Sequence, residues 1–278
     1  MQREIDFELF REKTSVIIAP RDLTREEHGS IICYPGTKLS SFRSRISQLK
    51  KLGVESIILE GDSKVGKFGI IGRGCVSTVV KARLTSETEI VALKVRRTDA
   101  NRPDMSNDFR LQKLANSFDV GPRAISASKD FFAMEYVDSI KLGKWFQSLK
   151  SRSSKKFLRG MIRDTLEQCY LLDRNGLDHG ELSNPSKHVL IYNDVNSFRK
   201  TTIIDYESAS TNRRAANLTS VAQFFLLSSW QSMKVRKILG IEEGGNKATK
   251  EALIRKLRDY KCKPSKESYE ELLSLIKC

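Results

Sequence analysis

The sequence predicts an α+β protein in which a β-rich half precedes an α-rich half, and two patterns carry that prediction. Between residues 68 and 95 the runs KFGII, STVVKARL and EIVALKV are rich in β-branched residues and separated by polar ones, as in an antiparallel meander. Beyond Val137, apolar residues instead recur at helical spacing over 142–149, 154–174, 218–238, 247–260 and 266–276. A hairpin, 189–193 with 202–205, interrupts the helices.

The remaining elements follow from local signals. Short apolar runs at 16–19 and 31–34, bounded by Pro20, Gly29 and Pro35, point to strand-containing structure near the N-terminus. Phe42, Ile46 and Leu49 recur at helical spacing over 39–53, with Ser40 placed to cap the start and Gly53 to end it. Residues 54–59 read as a strand, 107–117 as a helix with Phe109, Leu111 and Leu114 inward, and 131–137 as another strand. A small α/β extension over residues 1–60 and a larger domain over 61–278 are expected.

At 278 residues and 39% hydrophobic, the chain is long enough to bury a large core, which excludes disorder as its main state. The longest apolar run, near 224–227, is far short of the roughly 18 residues that span a bilayer. The opening MQREIDFELF carries acids where a signal peptide needs an apolar stretch, so a cytoplasmic protein without membrane contact is expected. Cys33, Cys75, Cys169, Cys262 and Cys278 form no CxxC pair and read as incidental thiols. Forty-nine Lys and Arg against 34 Asp and Glu leave a formal charge of +15, of which residues 1–60 hold only +1. An anionic partner is therefore expected on the larger part.

Several motifs carry chemistry. Residues 71–82 read IGRGCVSTVVKA, in which Gly72 and Gly74 let a hairpin backbone approach a polyphosphate, although two glycines equally fit an ordinary β-turn. Twenty-two residues after Gly72 the run VALK sets Lys94 among apolar residues, where a lysine needs an anionic partner to stay charged. FFAMEYV at 131–137, followed by Leu142, Gly143 and Trp145, reads as a segment joining two lobes. LDHGELSNPSKHVLI at 177–191 packs His179, Glu181, Asn184 and His188 into a turn before a strand. Twenty-four residues after Glu181, TIIDYE ends an apolar strand in Asp205 and Glu207, carboxylates suited to a hard metal ion.

Over about residues 66–230 these elements together resemble the signature set of protein kinases: glycine loop, strand lysine, helix acid, hinge, H-x-D loop and D-F-G. The phrases LANSFDVGPRAI, FFAMEYVDSIKLG, HGELSNPSKHVLI and IIDYESAS are similar to those of minimal atypical kinases. These include the RIO kinases, the small kinase of the tRNA-threonylcarbamoylating complex and, above all, the archaeal predicted Ser/Thr kinases. The resemblance implies a bilobal kinase-like fold with a β-rich N-lobe over about 61–137 and a helical C-lobe over about 138–278. It implies binding of ATP with Mg2+ or Mn2+ and transfer of the γ-phosphoryl group to Ser or Thr of a protein substrate. Gly72 and Gly74 would cover the phosphates, Lys94 would contact them, and Asp108 would orient Lys94. Val79, Ala92 and Met134 would help bind the nucleotide, Glu135, Tyr136 and Val137 would bond the adenine through their backbone, Asp205 would hold the metal, and Glu181 would be the acid of the catalytic loop. Only eleven residues separate Asp205 from Asn217, so a long activation segment is not expected.

The chain departs from that pattern at four places. Ser77 stands where the third loop glycine belongs. Glu181 replaces the catalytic-loop Asp and adds a methylene, about 1.5 Å of reach. His188 occupies the place of a metal-binding Asn, with Asn184 and Ser186 upstream, although magnesium prefers oxygen. Glu207 replaces the Gly of D-F-G and is either a metal ligand beside Asp205 and His188 or one half of an ion pair. His179 reads as a hydrogen-bonded structural residue. Two rivals to an active kinase follow: a pseudokinase scaffold, and an RNA- or ribosome-associated ATPase switch. The run 141–163, with eight Lys or Arg and no acid, is either a solvated face or a footprint for RNA, a ribonucleoprotein or an acidic protein. Arg213 and Arg214 are candidates to receive an acidic or phosphorylated substrate.

Overall fold

Period-two alternation decides how the N-terminal half folds. The computed structural model describes residues 15–149, 155–193, 199–227, 230–240 and 247–276, and the chain divides into two compact units. They are Met1–Phe109 with Ala124–Tyr136, and Arg110–Arg123 with Val137–Cys278. The first unit contains β1 (Val16–Ile18), α1 (Arg25–Ile32), α2 (Leu39–Lys51), β2 (Val54–Leu59), β3 (Ser63–Val65), β4 (Phe68–Ile70), β5 (Gly72–Arg73), β6 (Ser77–Leu84) and β7 (Val91–Arg96). α3 (Ser106–Asn116), shared by the two units, precedes β8 (Ala124–Ala127) and β9 (Phe131–Glu135). The main sheet runs β1-β2-β6-β7-β9-β8 with β5 on β6, antiparallel at every pairing, and β3 and β4 form a separate hairpin.

Val91, Leu93 and Val95 of β7 share one core with Val80 and Ala82 of β6, Phe131 and Ala133 of β9, Ile31 and Ile32 of α1, and Phe42 and Leu49 of α2. The intervening residues turn to the opposite face: Ala92, Phe132 and Met134, with Met105, form a second cluster against which Ile71 and Val79 pack. The boundary expected at residue 60 therefore falls inside this unit, because β2 pairs with β6 and Ile57 and Leu59 belong to the common core. The apolar run at 31–34 is not a strand. Thr24 caps α1, Glu26 and Glu27 favour its first turn, and Ile31 and Ile32 are its buried last residues. α2 starts after Lys38 without a cap from Ser40, and Gly53 at φ 70° ends it as expected.

A buried ionic network fastens α2 to the turn before β9. Asp130 meets Arg45 Nη2 at 3.0 Å, Arg96 Nη2 at 2.6 Å and Gln48 Nε2 at 2.8 Å. Burial alone would raise the Asp130 pKa, but the Gln48 hydrogen bond and the two guanidinium groups outweigh it and hold the carboxyl below its ordinary range.

The second unit continues with β10 (Ser139–Lys141), α4 (Leu142–Ser148), α5 (Lys155–Arg174), β11 (Val189–Asn193), β12 (Arg199–Ile203), α6 (Asn217–Leu226), α7 (Trp230–Leu239), α8 (Lys247–Cys262) and α9 (Lys266–Leu275). β10, β11 and β12 form an antiparallel sheet. Helix α5 buries Leu158, Met161, Ile162, Leu166 and Cys169 along one stripe. Its polar residues hold β12: Asp164 accepts from the Thr201 N–H at 2.6 Å, and Gln168 accepts from the Ile203 N–H at 3.1 Å. The single helix expected over 218–238 is two, α6 and α7, and Arg236 of α7 donates to the Leu226 carbonyl at the end of α6, 2.7 Å away. Among the described residues no helix is long and apolar enough to cross a membrane.

Candidate functional site

In the first unit, pairing register gathers most of the residues expected to hold a nucleotide. Gly72 lies opposite Val79 and Arg73 opposite Thr78, and the Gly74 N–H donates to the Ser77 carbonyl at 2.8 Å, so the two glycines form the arm and tip of a tight hairpin. Val79 is opposite Lys94 on β7, and Ala92 is opposite Met134 on β9. Alternation thus puts Val79, Ala92, Lys94 and Met134 on one face, the face without α1 and α2, and half-buried Tyr136 packs on the same cluster. Glu135 is exposed at the end of β9, and Val137 begins the second unit.

Lys94 is only 4% exposed, and its Nζ lies 3.8 Å from Asp108 Oδ2 in the first turn of α3. Arg102 Nη1 approaches the other carboxylate oxygen at 3.4 Å. Leaving the ammonium unpaired here would cost several kcal/mol, and Asp108 offsets that cost. An apolar face bordered by a buried cation and a backbone hairpin suits a flat heteroaromatic group with an anionic tail.

In the second unit, α5 ends at Arg174, and Gly176 at φ 70° turns the chain into the loop that carries the candidate acid. Gly180 adopts φ 88°, and a Cβ there would lie 2.6 Å from both the Ser208 carbonyl and Arg213 Nη2, so only glycine admits the close approach of these segments. Asn184 is spent as the cap of the short turn Pro185–Lys187. His188 follows at its end, and its carbonyl accepts from the Ile204 N–H at 2.8 Å, which draws the last residues of β12 beside it. His188 Nε2 is 3.0 Å from Glu181 Oε2, and its Nδ1, without a hydrogen-bond partner among the described residues, is 3.8 Å from Asp205 Oδ2. The Ser208 hydroxyl donates to Glu181 Oε1. Asp205 itself sits at φ 76°, ψ 70°, a left-handed conformation that Asp tolerates better than most residues and that functional sites often hold under strain.

His179 is fully buried; its Nε2 lies 3.0 Å from the Ile204 carbonyl, which can only accept, so the proton is on Nε2. Burial pushes its pKa down to about 4, and it is neutral at pH 7. The structural role expected for His179 agrees with this geometry. Behind the loop lies a network that sequence reasoning missed. Asp173 of α5 accepts from the Asn217 and Leu218 N–H groups at the start of α6, at 2.8 and 3.0 Å, and from Tyr260 Oη of α8 at 3.2 Å. The Asn217 amide donates to the Leu177 carbonyl, and its oxygen accepts from the His179 N–H at 2.9 Å. Burial raises the Asp173 pKa to about 6 despite these donors. The available signals were an Asp inside the apolar run CYLLD and an Asn opening an apolar helix.

Of the metal set expected from Asp205, His188 and Glu207, the structure brings His188 Nδ1 to 3.8 Å from Asp205 Oδ2. Among the described residues no three His, Cys, Asp or Glu side chains gather as metal ligands, and Glu207 lies in the turn Tyr206–Ser208 that follows Asp205. Asp205 alone still suits magnesium, which takes one or two carboxylates and completes its shell with water and phosphate oxygens. Arg213 and Arg214 are engaged internally: Arg213 Nε meets Asp178 at 2.8 Å, and Arg214 donates to the Lys261 and Cys262 carbonyls at the end of α8. Of the basic run, Lys155 and Lys156 are exposed on α5, whereas Lys150 and Arg152 lie outside the described residues. No protein-family model matches this chain, and no curated protein matches it significantly.

Proposed function

We propose that the chain is an ATP-dependent protein Ser/Thr phosphotransferase with a bilobal kinase-like architecture, using Mg2+ or Mn2+. The observation that carries this reading is the buried Lys94–Asp108 pair, 3.8 Å apart, whose lysine lies on a strand face that also bears Val79 of the glycine hairpin. Lys94 would hold the phosphates of ATP, with Asp108 keeping it charged and aimed, while the backbone at Gly72 and Gly74 approaches them without side-chain obstruction. The divalent cation supplies charge neutralisation at the phosphate oxygens, and Asp205 would hold it. Glu181 would accept a hydrogen bond from the attacking hydroxyl and orient it, with His188 and Ser208 fixing its carboxylate. Catalysis by positioning and electrostatics asks no covalent chemistry of these groups.

One observation favours the scaffold reading: both Glu181 oxygens already have partners in His188 and Ser208. Transfer of label from γ-labelled ATP to the chain itself and to dephosphorylated casein separates the two. Glu181→Gln is expected to lower transfer by on the order of 10²-fold while the thermal shift given by ATP with Mg2+ stays intact. Lys94→Ala is expected to abolish both. A wild-type chain that shows the thermal shift but transfers nothing with either metal is a scaffold. A chain with neither response overturns the nucleotide reading.

A further inference from the structure

A groove of about 380 Å³ lies between α6 and α8 in the second unit. Its floor is apolar, from Leu227, Ile254 and Leu257, and its α8 rim carries Lys250, Arg258 and Lys261. The acids of the same helix, Glu251 and Asp259, do not line it, and the ion pair that α8 makes with α9, Lys256 to Glu271 at 2.5 Å, uses a different residue. Among the described residues the three rim cations have no acidic partner. The α6 rim contributes Thr219 and Gln223 from a helix, NLTSVAQFFL, that has no charged residue. The groove is held in shape from behind: Tyr260, 1% exposed, bonds Asp173, and Arg214 holds the last α8 carbonyls.

We propose that this groove docks an extended acidic peptide segment of a partner protein, anchored by an apolar side chain between acidic ones. Cations spaced eight and three residues apart on a helix stand about 12 Å and about 5 Å apart along its axis, so one phosphate or one carboxylate cannot meet all three. An extended chain of about five residues spans the same distance and places carboxylates opposite both ends. The apolar floor between the cations takes the central side chain, and the Gln223 amide on the uncharged rim is free of competing charge to bond the peptide backbone. A polyanion without apolar groups would leave that floor uncovered, which is why a peptide is favoured over a nucleic acid. The proposal is independent of the phosphotransfer reading, since its test measures binding alone.

The test uses the full chain and a fluorescein-labelled decapeptide with the centre Asp-Glu-Leu-Phe-Glu-Asp, followed by anisotropy. Arg258→Glu with Lys261→Glu, both exposed, is expected to weaken binding by about tenfold or more, and Lys250→Glu alone by several-fold. Reversal of two exposed lysines on α2, Lys50→Glu with Lys51→Glu, is expected to change it by less than about twofold. A peptide with Leu and Phe replaced by Ser, its charge unchanged, is expected to bind at least about fivefold more weakly. The proposal is overturned if the wild-type chain fails to bind the peptide at about 1 mM, if both double reversals weaken it equally, or if the Ser peptide binds as well. It is also overturned if a ten-nucleotide oligothymidine binds more tightly and loses affinity on the same groove substitutions, because the groove is then a nucleic-acid site.

Discussion

Two buried groups that hold the candidate loop, His179 and Asp173, titrate in opposite senses, and their opposition makes a quantitative prediction. The folded-state pKa of His179 is depressed from 6.5 to about 4 by burial, so the unfolded chain binds the proton more readily. Stability from this group is present above pH 6.5 and is lost as the pH falls towards 4, by about 3 kcal/mol for about 2.5 pKa units. The folded-state pKa of Asp173 is raised from 3.8 to about 6, so here the folded chain binds the proton more readily. Stability from this group grows as the pH falls from 6 to 3.8, also by about 3 kcal/mol. Across about pH 4 to 6 the two nearly cancel in the wild type. Each substitution should then unmask the other group. Asp173→Asn should give a melting temperature that falls steeply towards acid. His179→Gln, which keeps an N–H for the Ile204 carbonyl, should give one that rises as pH drops from about 6 to about 4. Differential scanning calorimetry of the three proteins from about pH 7.5 to about pH 4.5 reads the slopes directly. Parallel profiles for all three would refute the assignment of these protonation states, whatever the absolute loss of stability in each variant.

Other expectations follow from single contacts. Asp130→Ala should destabilise the first unit by about 3–5 kcal/mol, because it leaves the 1%-exposed Arg45 as an uncompensated buried charge, and urea denaturation measures it. Gly180→Ala should cost about 1–3 kcal/mol from the positive φ alone and more from the 2.6 Å clash with the Ser208 carbonyl, while ATP-induced stabilisation persists. Replacing Lys155 and Lys156 by Ser should lower the slope of log affinity against log salt for a polyanion such as heparin by about one to two, and an unchanged slope would remove the basic run of α5 from any such surface.

Local chemistry wrote most of the elements into the sequence. The β-branched runs of β6 and β7, the period-two alternation that sends Leu93 one way and Lys94 the other, and Gly53 at the end of α2 depend on neighbours a few residues away, so they are legible without a fold. The same holds for the α+β order and for Lys94, whose charge among apolar residues announces a partner. What the sequence left open depended on distant segments. Ile31 and Ile32 fit a strand or a helix equally until the Thr24 cap and the core of the sheet select the helix. The boundary at residue 60 vanished because β2 pairs with β6, which no local pattern in either strand requires. The meeting of His188 with Glu181 and the support of the loop by Asp173, Asn217 and Tyr260 join residues up to 87 positions apart. Such contacts are fixed by how whole helices and strands pack, and only the tertiary structure decides them.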